Sequence, residues 1–364
     1  MTVHFVTAFA LALAPLTAPD FRATLDALVD PLLKPEKSVG LVVGVWRGGT
    51  ATVHGYGQVT TPSGRRVPDG RTLFEIGSVT KTFTGVLLAE AVARGEVALD
   101  DPVTKHLPAD LVFPAHADGV PTLLDLATHR GGLPVEPPRI GLTARNSRNP
   151  YADCTRQSLA ATLAALTPKP PGDKPVYSNL GTGLLGHALV NAAHADSFDA
   201  LVRERIAKPL KLRDTTEAPD GEQRARLARG HDKHGEPTDP WDFASLSACG
   251  GLRSTADDLL RYAAANLGDA TTALTPSLLA ARKPRRGDGG QRKVGLFWVT
   301  TPLPGREVVA VWHNGGTGGY RTMLLLLPAS KSAVVVLCAA DRGAEIDRLA
   351  FAVAAALTPA ESIP

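Results

Sequence analysis

The chain has 364 residues, of which 44% are hydrophobic and 21% charged, as is typical of a globular protein with a sizeable buried core. Its net charge of +3 comes without a dense basic run, because the cluster 282–286 is interrupted by proline; a nucleic-acid partner is therefore not expected. Three cysteines, Cys154, Cys249 and Cys338, stand too far apart for a disulfide framework or a metal-spaced pair.

The amino-terminal segment resembles a signal peptide. Residues 5–14 are apolar, and small residues that could form a cleavage site follow them. No lysine or arginine precedes the apolar run, and proline follows both candidate cleavage positions. We expect residues 1–18 to direct export to the periplasm or the medium. The alternative is a short apolar helix or strand in a cytoplasmic enzyme. Beyond this segment no stretch reaches the roughly 18 apolar residues of a membrane-spanning helix, so no integral membrane span is expected.

The next part of the chain predicts a helix, a hairpin and a second helix. Asp20 can cap the first helix, whose apolar residues fall on one face. Two strand-like runs, 38–46 and 51–59, are separated by an Arg-Gly-Gly-Thr turn. A short strand at 73–76 then leads into a strongly apolar helix that ends at Gly95.

From residue 103 to about residue 250 the chain changes character, since helical stretches alternate with loops rich in proline and glycine. Helices are expected at 122–131, 157–166, 183–193 and 198–206. After a further helix start at Ser254, strand patterns return and a last helix follows. The strands are expected at 294–301, 308–313, 321–327 and 333–338. The last helix is expected at 344–357.

Strands therefore lie at both ends of the chain and helices in its middle. The simplest arrangement is an α/β (α+β) fold, with one antiparallel sheet built from both ends, flanked by helices. We expect residues 19–102 and 251–364 to form this sheet domain and residues 103–250 to form an inserted, mainly helical region. Together they would make one catalytic unit.

Three short motifs stand at junctions between these elements. Ser78-Val79-Thr80-Lys81 opens the first apolar helix, where Ser78 and Lys81 at i, i+3 share one face. A serine hydroxyl needs an adjacent base, and a lysine is one only where burial or a neighbouring cation keeps it neutral. Tyr177-Ser178-Asn179 follows a Pro-Pro-Gly turn, and the glycine-rich run 313–320 closes a strand.

These motifs, Ser-x-x-Lys, Tyr-x-Asn and His-x-Gly in that order, resemble those of the serine β-lactamase and penicillin-binding-protein superfamily. The Tyr-x-Asn form is similar to that of class C β-lactamases, D-alanyl-D-alanine carboxypeptidases and related esterases. The resemblance covers residues from about 20 to 357 and implies a β-lactamase/transpeptidase-like fold and no cofactor.

The resemblance also implies a role for each motif residue. Ser78 would be the nucleophile that forms an acyl-enzyme, Lys81 would take its proton, and Tyr177 would be the partner acid/base that protonates the leaving group. Which of Lys81 and Tyr177 is the acylation base stays open. Asn179 would hold Lys81 and the substrate amide. The backbone N–H groups of Ser78 and Gly316 would form the oxyanion hole.

His313 departs from the class C pattern, which has lysine at this place. His313 and Gly315 are expected to contact the substrate. A histidine titrates near ~6.5, so activity on a carboxylate-bearing substrate should rise as His313 is protonated. This residue favours the carboxypeptidase-like, aminopeptidase-like and esterase branches over efficient β-lactam hydrolysis.

Two other histidine positions carry weaker signals. His129, beside a Gly-Gly turn, is expected to be a structural hydrogen-bonding residue rather than a second base. His231 and His234 have a ligand-like spacing but lie in a polar loop without a third ligand, so no metal site is expected.

The sequence thus predicts a serine hydrolase that cleaves an amide, either a β-lactam or a D-amino-acid peptide. The alternatives are an esterase or aminopeptidase of the same family, a non-catalytic peptidoglycan- or penicillin-binding relative, and aminolysis in place of hydrolysis. The expected partner is a small-molecule or peptide substrate, and the expected state is a monomer.

Overall fold

A computed structural model describes residues 18–33, 40–114, 119–138, 148–172 and 174–358. The predicted signal peptide lies outside these residues, except for its last position. The first helix begins at Ala18, two residues before the predicted cap at Asp20.

The described residues form twelve strands and twelve α-helices. The strands are β1 Leu41–Arg47, β2 Thr50–Tyr56, β3 Val59–Thr61, β4 Gly64–Arg66, β5 Phe74–Glu75, β6 Arg253–Ser254, β7 Arg286–Gly287, β8 Lys293–Val294, β9 Val299–Pro302, β10 Val309–Gly316, β11 Arg321–Leu327 and β12 Ser332–Cys338. The helices are α1 Ala18–Val29, α2 Thr80–Ala93, α3 Leu123–Ala127, α4 Arg156–Ala164, α5 Asn179–Ala192, α6 Phe198–Val202, α7 Lys208–Leu210, α8 Gly221–Ala225, α9 Ser247–Gly250, α10 Ala256–Leu267, α11 Thr275–Arg282 and α12 Gly343–Leu357.

Eight of the strands form one sheet in the order β2-β1-β12-β11-β10-β9-β8-β7. All neighbouring strands are antiparallel, and the two ends of the chain meet where β1 pairs with β12, with Leu41 opposite Cys338. The predicted α/β (α+β) fold, with an antiparallel sheet built from both chain ends and flanked by helices, is therefore confirmed.

The middle of the sheet is buried on both faces, because β1, β11 and β12 alternate their side chains between two hydrophobic cores. In β12, Val334 and Val336 pack in the core that contains α1 and α12, while Val335 and Leu337 pack in the core that contains α2 and α10. The second core continues into the helical region. As predicted, α12 buries one apolar side, made of Ile346, Leu349, Val353 and Leu357.

Three predicted boundaries shift for identifiable reasons. The helix predicted from 183 begins at Asn179, because the Ser178 hydroxyl caps it by accepting a hydrogen bond from Gly181 N at 2.9 Å. The strand predicted at 294–301 divides into β8 and β9, since Phe297 takes a left-handed φ of 63° in the turn between them. Helix α3 ends before the glycine pair, because His129 also takes a left-handed φ, of 59°.

None of the helices in the described part of the chain combines the length and hydrophobicity of a transmembrane segment. The three cysteines are buried and free of disulfides.

Candidate active site

The serine of the first motif lies on a 3₁₀ turn, Gly77–Val79, that runs directly into α2. This turn packs against the carboxyl end of β10. Gly77 has a φ of +50°, and a Cβ atom added to it would lie 2.6 Å from the backbone nitrogen of Gly316. Only glycine therefore allows the turn to approach the strand so closely. Ser78 remains partly exposed at this junction.

Lys81 reaches Ser78 from the first turn of α2, as the i, i+3 spacing predicts. Its side chain has no exposed surface, and its Nζ donates to Ser78 Oγ at 3.0 Å. Nζ also donates to Asn179 Oδ1 and to the carbonyl oxygen of Cys249, each at 2.6 Å. Both of these partners only accept. If Lys81 is a neutral amine, its two N–H groups donate to these two acceptors, and its lone pair then faces Ser78 Oγ.

Tyr177 lies on the other side of the serine, and its Oη shares a hydrogen bond of 2.6 Å with Ser78 Oγ. The ring centroid is 4.7 Å from Lys81 Nζ, so the ammonium form of Lys81 would make a cation–π contact. Tyr177 is 38% exposed, which leaves its hydroxyl open to a substrate.

His129 holds the tyrosine segment in place. Its carbonyl accepts from Val176 N at 2.8 Å, its Nδ1 accepts from Ser178 N at 3.2 Å, and its ring centroid lies 4.6 Å from that of Tyr177. Burial, with Lys81 adding to it, lowers the pKa of His129 well below its usual range. The neutral, accepting imidazole fits the predicted structural role.

Asn179 connects Lys81 to two residues that the sequence did not reveal. Its Nδ2 donates to Glu136 Oε1 at 2.6 Å and to Tyr151 Oη at 2.9 Å, and Tyr151 Oη donates to Glu136 Oε1 at 2.7 Å. Glu136 lies 43 residues before Asn179, in the loop after the Gly-Gly turn. No local pattern marks it, because only the tertiary fold places this loop against α5.

The end of β10 carries Gly316, whose backbone N–H is the second predicted oxyanion donor beside that of Ser78. Thr317 N donates to Tyr320 O at 3.1 Å, towards β11. Backbone N–H groups of successive residues in a strand point to opposite edges, so the N–H of Gly316 points away from β11. Strand β9 pairs with β10 only as far as Trp312. Gly315 packs directly on the carbonyl of Ile76, the residue before the Ser78 turn, and Gly316 packs on Gly77 within it.

His313 is buried, with 4% of its surface exposed. Its Nδ1 lies 2.6 Å from the carbonyl of Asn314, which can only accept, so Nδ1 carries the proton and Nε2 carries the lone pair. Burial and the charge of Lys81 lower the pKa of His313 to about 3. The ring is therefore neutral at pH 7, as expected for a histidine whose pKa no partner raises above its usual value, and any rise of activity with protonation of His313 is expected only well below about pH 6.5.

Among the described residues no three His, Cys, Asp or Glu side chains are grouped closely enough to bind a metal ion. His231 instead places its Nδ1 3.2 Å from the carbonyl of Ala339.

Comparison with known proteins identifies the family. The sequence model of the family described as Beta-lactamase matches residues 25–358. The chain belongs to the β-lactamase family. It is thus an enzyme of the serine hydrolase type, which confirms the predicted superfamily and mechanism class.

Named relatives within the β-lactamase family include two kinds of enzyme. A β-lactamase of Pseudomonas fluorescens is 28% identical in an alignment of 352 residues, which covers 88% of this chain and 94% of the relative. The D-alanyl-D-alanine-carboxypeptidase/endopeptidase AmpH of Escherichia coli K12 is 29% identical in an alignment of 337 residues, which covers 87% of this chain and 84% of the relative. A class C β-lactamase structure superimposes with a TM-score of 0.82 at 24% identity, covering 96% of this chain and 99% of that structure.

Proposed function

We propose that the protein hydrolyses an amide, either a β-lactam or a D-amino-acid peptide, through an acyl-enzyme on Ser78. The observation that carries this proposal is the convergence of two proton-transfer groups on one hydroxyl. Lys81 Nζ lies 3.0 Å and Tyr177 Oη 2.6 Å from Ser78 Oγ. Both distances are within the range that a general base needs. The names of the relatives support the choice of an amide substrate.

The proposed acylation uses these groups in order. Ser78 Oγ bonds to the carbonyl carbon while its proton passes to Lys81 or Tyr177. The resulting oxyanion is stabilised by the backbone N–H groups of Ser78 and Gly316. The carbon–nitrogen bond then breaks, and the departing nitrogen takes a proton from Tyr177. In deacylation, water gives a proton to Tyr177 and adds to the acyl carbon, the bond to Oγ breaks, and Ser78 Oγ takes a proton back from Lys81 or Tyr177.

Intact-mass measurement tests this proposal. The protein is incubated separately with a penicillin and with a short acyl ester, alongside the Ser78→Ala variant. We expect an adduct, or turnover, with at least one compound, and neither with Ser78→Ala. A stable adduct would indicate a penicillin-binding enzyme and a transient one a hydrolase. No adduct and no turnover with either compound would favour a non-catalytic binding relative and refute the proposal.

A second candidate is an esterase or aminopeptidase of the same family. The observation that favours it is the neutral His313, since a permanent cation at this place would help to bind a substrate carboxylate. Under this alternative, uncharged esters or amides would be turned over faster than penicillins. An added amine acceptor distinguishes aminolysis from hydrolysis, because only aminolysis incorporates the amine into the product.

The proposed location and assembly state have separate tests. Export is supported by the apolar residues 5–14, and sequencing the amino terminus of the mature protein would show whether this segment is removed. We also propose a monomer, which light scattering in solution would test.

A further inference from the structure

Glu75 is a buried carboxylate on β5, just before the Ser78 turn, and the proposed mechanism gives it no role. Only 3% of its surface is exposed. Its Oε1 accepts from Trp241 N at 2.7 Å and from Arg253 Nη2 at 3.3 Å. Burial raises the pKa of Glu75, and the charge of Arg253 opposes this rise. A buried ion pair adds little stability by itself, so the contacts of Glu75 indicate what it does.

The first contact of Glu75 fixes the loop that carries Trp241. Glu75 accepts from the backbone N–H of Trp241, and Arg253 Nη2 donates to the Trp241 carbonyl at 2.7 Å. The ion pair therefore holds both polar backbone groups of this residue. The indole of Trp241 in turn covers Gly318, where an added Cβ atom would lie 2.7 Å from Nε1. Through Trp241, Glu75 thus limits the movement of the backbone that follows Gly316.

The second contact of Glu75 is with Thr317, the residue directly after Gly316. The hydroxyl of Thr317 lies close enough to the Glu75 carboxyl group to lower its pKa, against the larger effect of burial. Glu75 Oε2 and Thr317 Oγ1 are both buried, and neither has another hydrogen-bond partner among the described residues. The hydroxyl can donate and the ionised carboxylate only accepts, so each group satisfies the other. An unpaired buried donor or acceptor is costly, which favours the backbone position in which the two groups meet.

The Ser78 turn and the end of β10 are thus joined in two ways. Gly77 packs on the backbone nitrogen of Gly316, and the side chain of Glu75 reaches Thr317. A backbone N–H stabilises an oxyanion only where it is held in place before the reaction, and a displacement of about 1 Å can lower the rate about 100-fold. The position of Gly316 therefore depends on what holds its neighbours.

We infer that Glu75 is a positioning residue for acylation, whose carboxylate acts through Thr317 and Trp241 to hold the Gly316 N–H where the oxyanion forms. This inference rests on the proposed acyl-enzyme function and adds a residue to it. Glu75 takes no part in the proton transfers themselves.

The test is stopped-flow acylation of folded variants with p-nitrophenyl acetate, with Ser78→Ala as the background. Glu75→Gln keeps the shape of the side chain and removes its charge. We expect the acylation rate constant at saturating ester to fall about 10-fold, the effect of weakening one hydrogen bond to a charged group. The half-saturating ester concentration should change little, because an oxyanion donor serves the transition state more than the bound ester.

Thr317→Val removes the hydroxyl with little change of shape and should slow acylation to a similar extent. The double variant Glu75→Gln/Thr317→Val should be about as slow as the slower single variant, since the two residues act through one contact. Asp214→Asn is the matched control, because this carboxylate binds a different arginine, Arg226. We expect it to lower the free energy of unfolding and to leave the acylation rate constant unchanged.

A folded Glu75→Gln enzyme with the wild-type acylation rate constant would overturn the inference, since Glu75 would then serve only stability. Additive losses in the double variant would overturn it too, because the two residues would then act separately. If Glu75→Gln does not fold, Thr317→Val decides: slowed acylation supports the inference and an unchanged rate rejects it. All of these results leave the proposed function standing. No acylation of the wild-type enzyme by the ester or by a penicillin would reject the proposed function and the role of Glu75 together.

Discussion

Gly77 and Gly316 lie in contact, with the site for a side chain on Gly77 only 2.6 Å from the backbone nitrogen of Gly316. This contact brings the Ser78 turn and the end of β10 together, so that the two proposed oxyanion donors come from segments far apart in the sequence.

The first prediction concerns this contact. Gly77→Ala should slow acylation by at least roughly 100-fold, the effect of losing one oxyanion donor, because the methyl group would displace Gly316. Gly95→Ala is the matched control, since Gly95 also has a positive φ, of 72°, but has open space around its Cβ position. We expect the control to lose about 1 kcal/mol of stability and no activity. Acylation rates and denaturant unfolding of both variants would measure this, and an active Gly77→Ala would contradict it.

The second prediction separates the charge of Lys81 from its role as a base. Lys81→Ala should lower the acylation rate roughly 100- to 10,000-fold, the usual contribution of a general base. Lys81→Arg keeps a cation, but a guanidinium stays protonated and so cannot accept the serine proton. If Lys81 is the base, Lys81→Arg should therefore be about as inactive as Lys81→Ala. Stopped-flow acylation with a chromogenic ester would measure both. Substantial activity in Lys81→Arg would instead favour Tyr177 as the base, with position 81 supplying only charge.

The third prediction concerns His313. With its pKa near 3, this ring keeps one protonation state from about pH 5 to about pH 8. The acylation profiles of the wild-type enzyme and of His313→Gln should therefore have the same shape over this range, even if their rates differ. An inflection near about pH 6.5 in the wild type that is absent from His313→Gln would show that His313 does titrate.

The fourth prediction concerns stability in acid. His187 accepts from Arg156 Nη1 at 2.8 Å and donates to the Ser245 carbonyl at 2.8 Å, an arrangement that only the neutral ring can make. Burial lowers the pKa of His187 from 6.5 to about 4. The unfolded chain therefore takes up this proton first as the pH falls. The stability contributed by His187 is complete above about pH 6.5 and is lost progressively towards about pH 4.

His187→Gln should reduce the loss of unfolding free energy between about pH 6.5 and about pH 5 by about 2 kcal/mol. His234→Gln, on an exposed loop, is the control and should leave the pH dependence unchanged. Urea unfolding at a series of pH values would measure the difference. If His187→Gln and the wild type lose stability in parallel, His187 is not held neutral by the fold.

How well each part of the site could be predicted depended on how far apart in the sequence its residues lie. Ser78 and Lys81 are three residues apart, so helical geometry alone placed them together. Tyr177 lies 99 residues from Ser78, and only the resemblance to a known family could connect the two. Glu136 belongs to no such motif and was missed.

The fold was predictable for a similar reason. Continuous apolar runs mark β11 and β12 clearly. The position of strands at both chain ends implied that the two ends share one sheet, as the pairing of β1 with β12 shows. The lowered pKa of His313 was not predictable, because the sequence gives the intrinsic pKa of an imidazole but not the burial of the ring by distant segments. The left-handed Phe297, which divides a predicted strand, likewise has no sequence signal, since an aromatic residue rarely adopts this conformation.

The pairing of β1 with β12 also has a consequence for biosynthesis. Leu41 is among the first described residues to leave the ribosome, and its partner Cys338 is among the last. Until then one edge of the β1–β2 hairpin has no partner, and Ser78 has no Gly316 beside it. Contacts so distant in sequence form slowly. The proposed catalytic centre is therefore completed only after Gly316 and β12 have been synthesised, and we expect no hydrolytic activity in the nascent polypeptide before then.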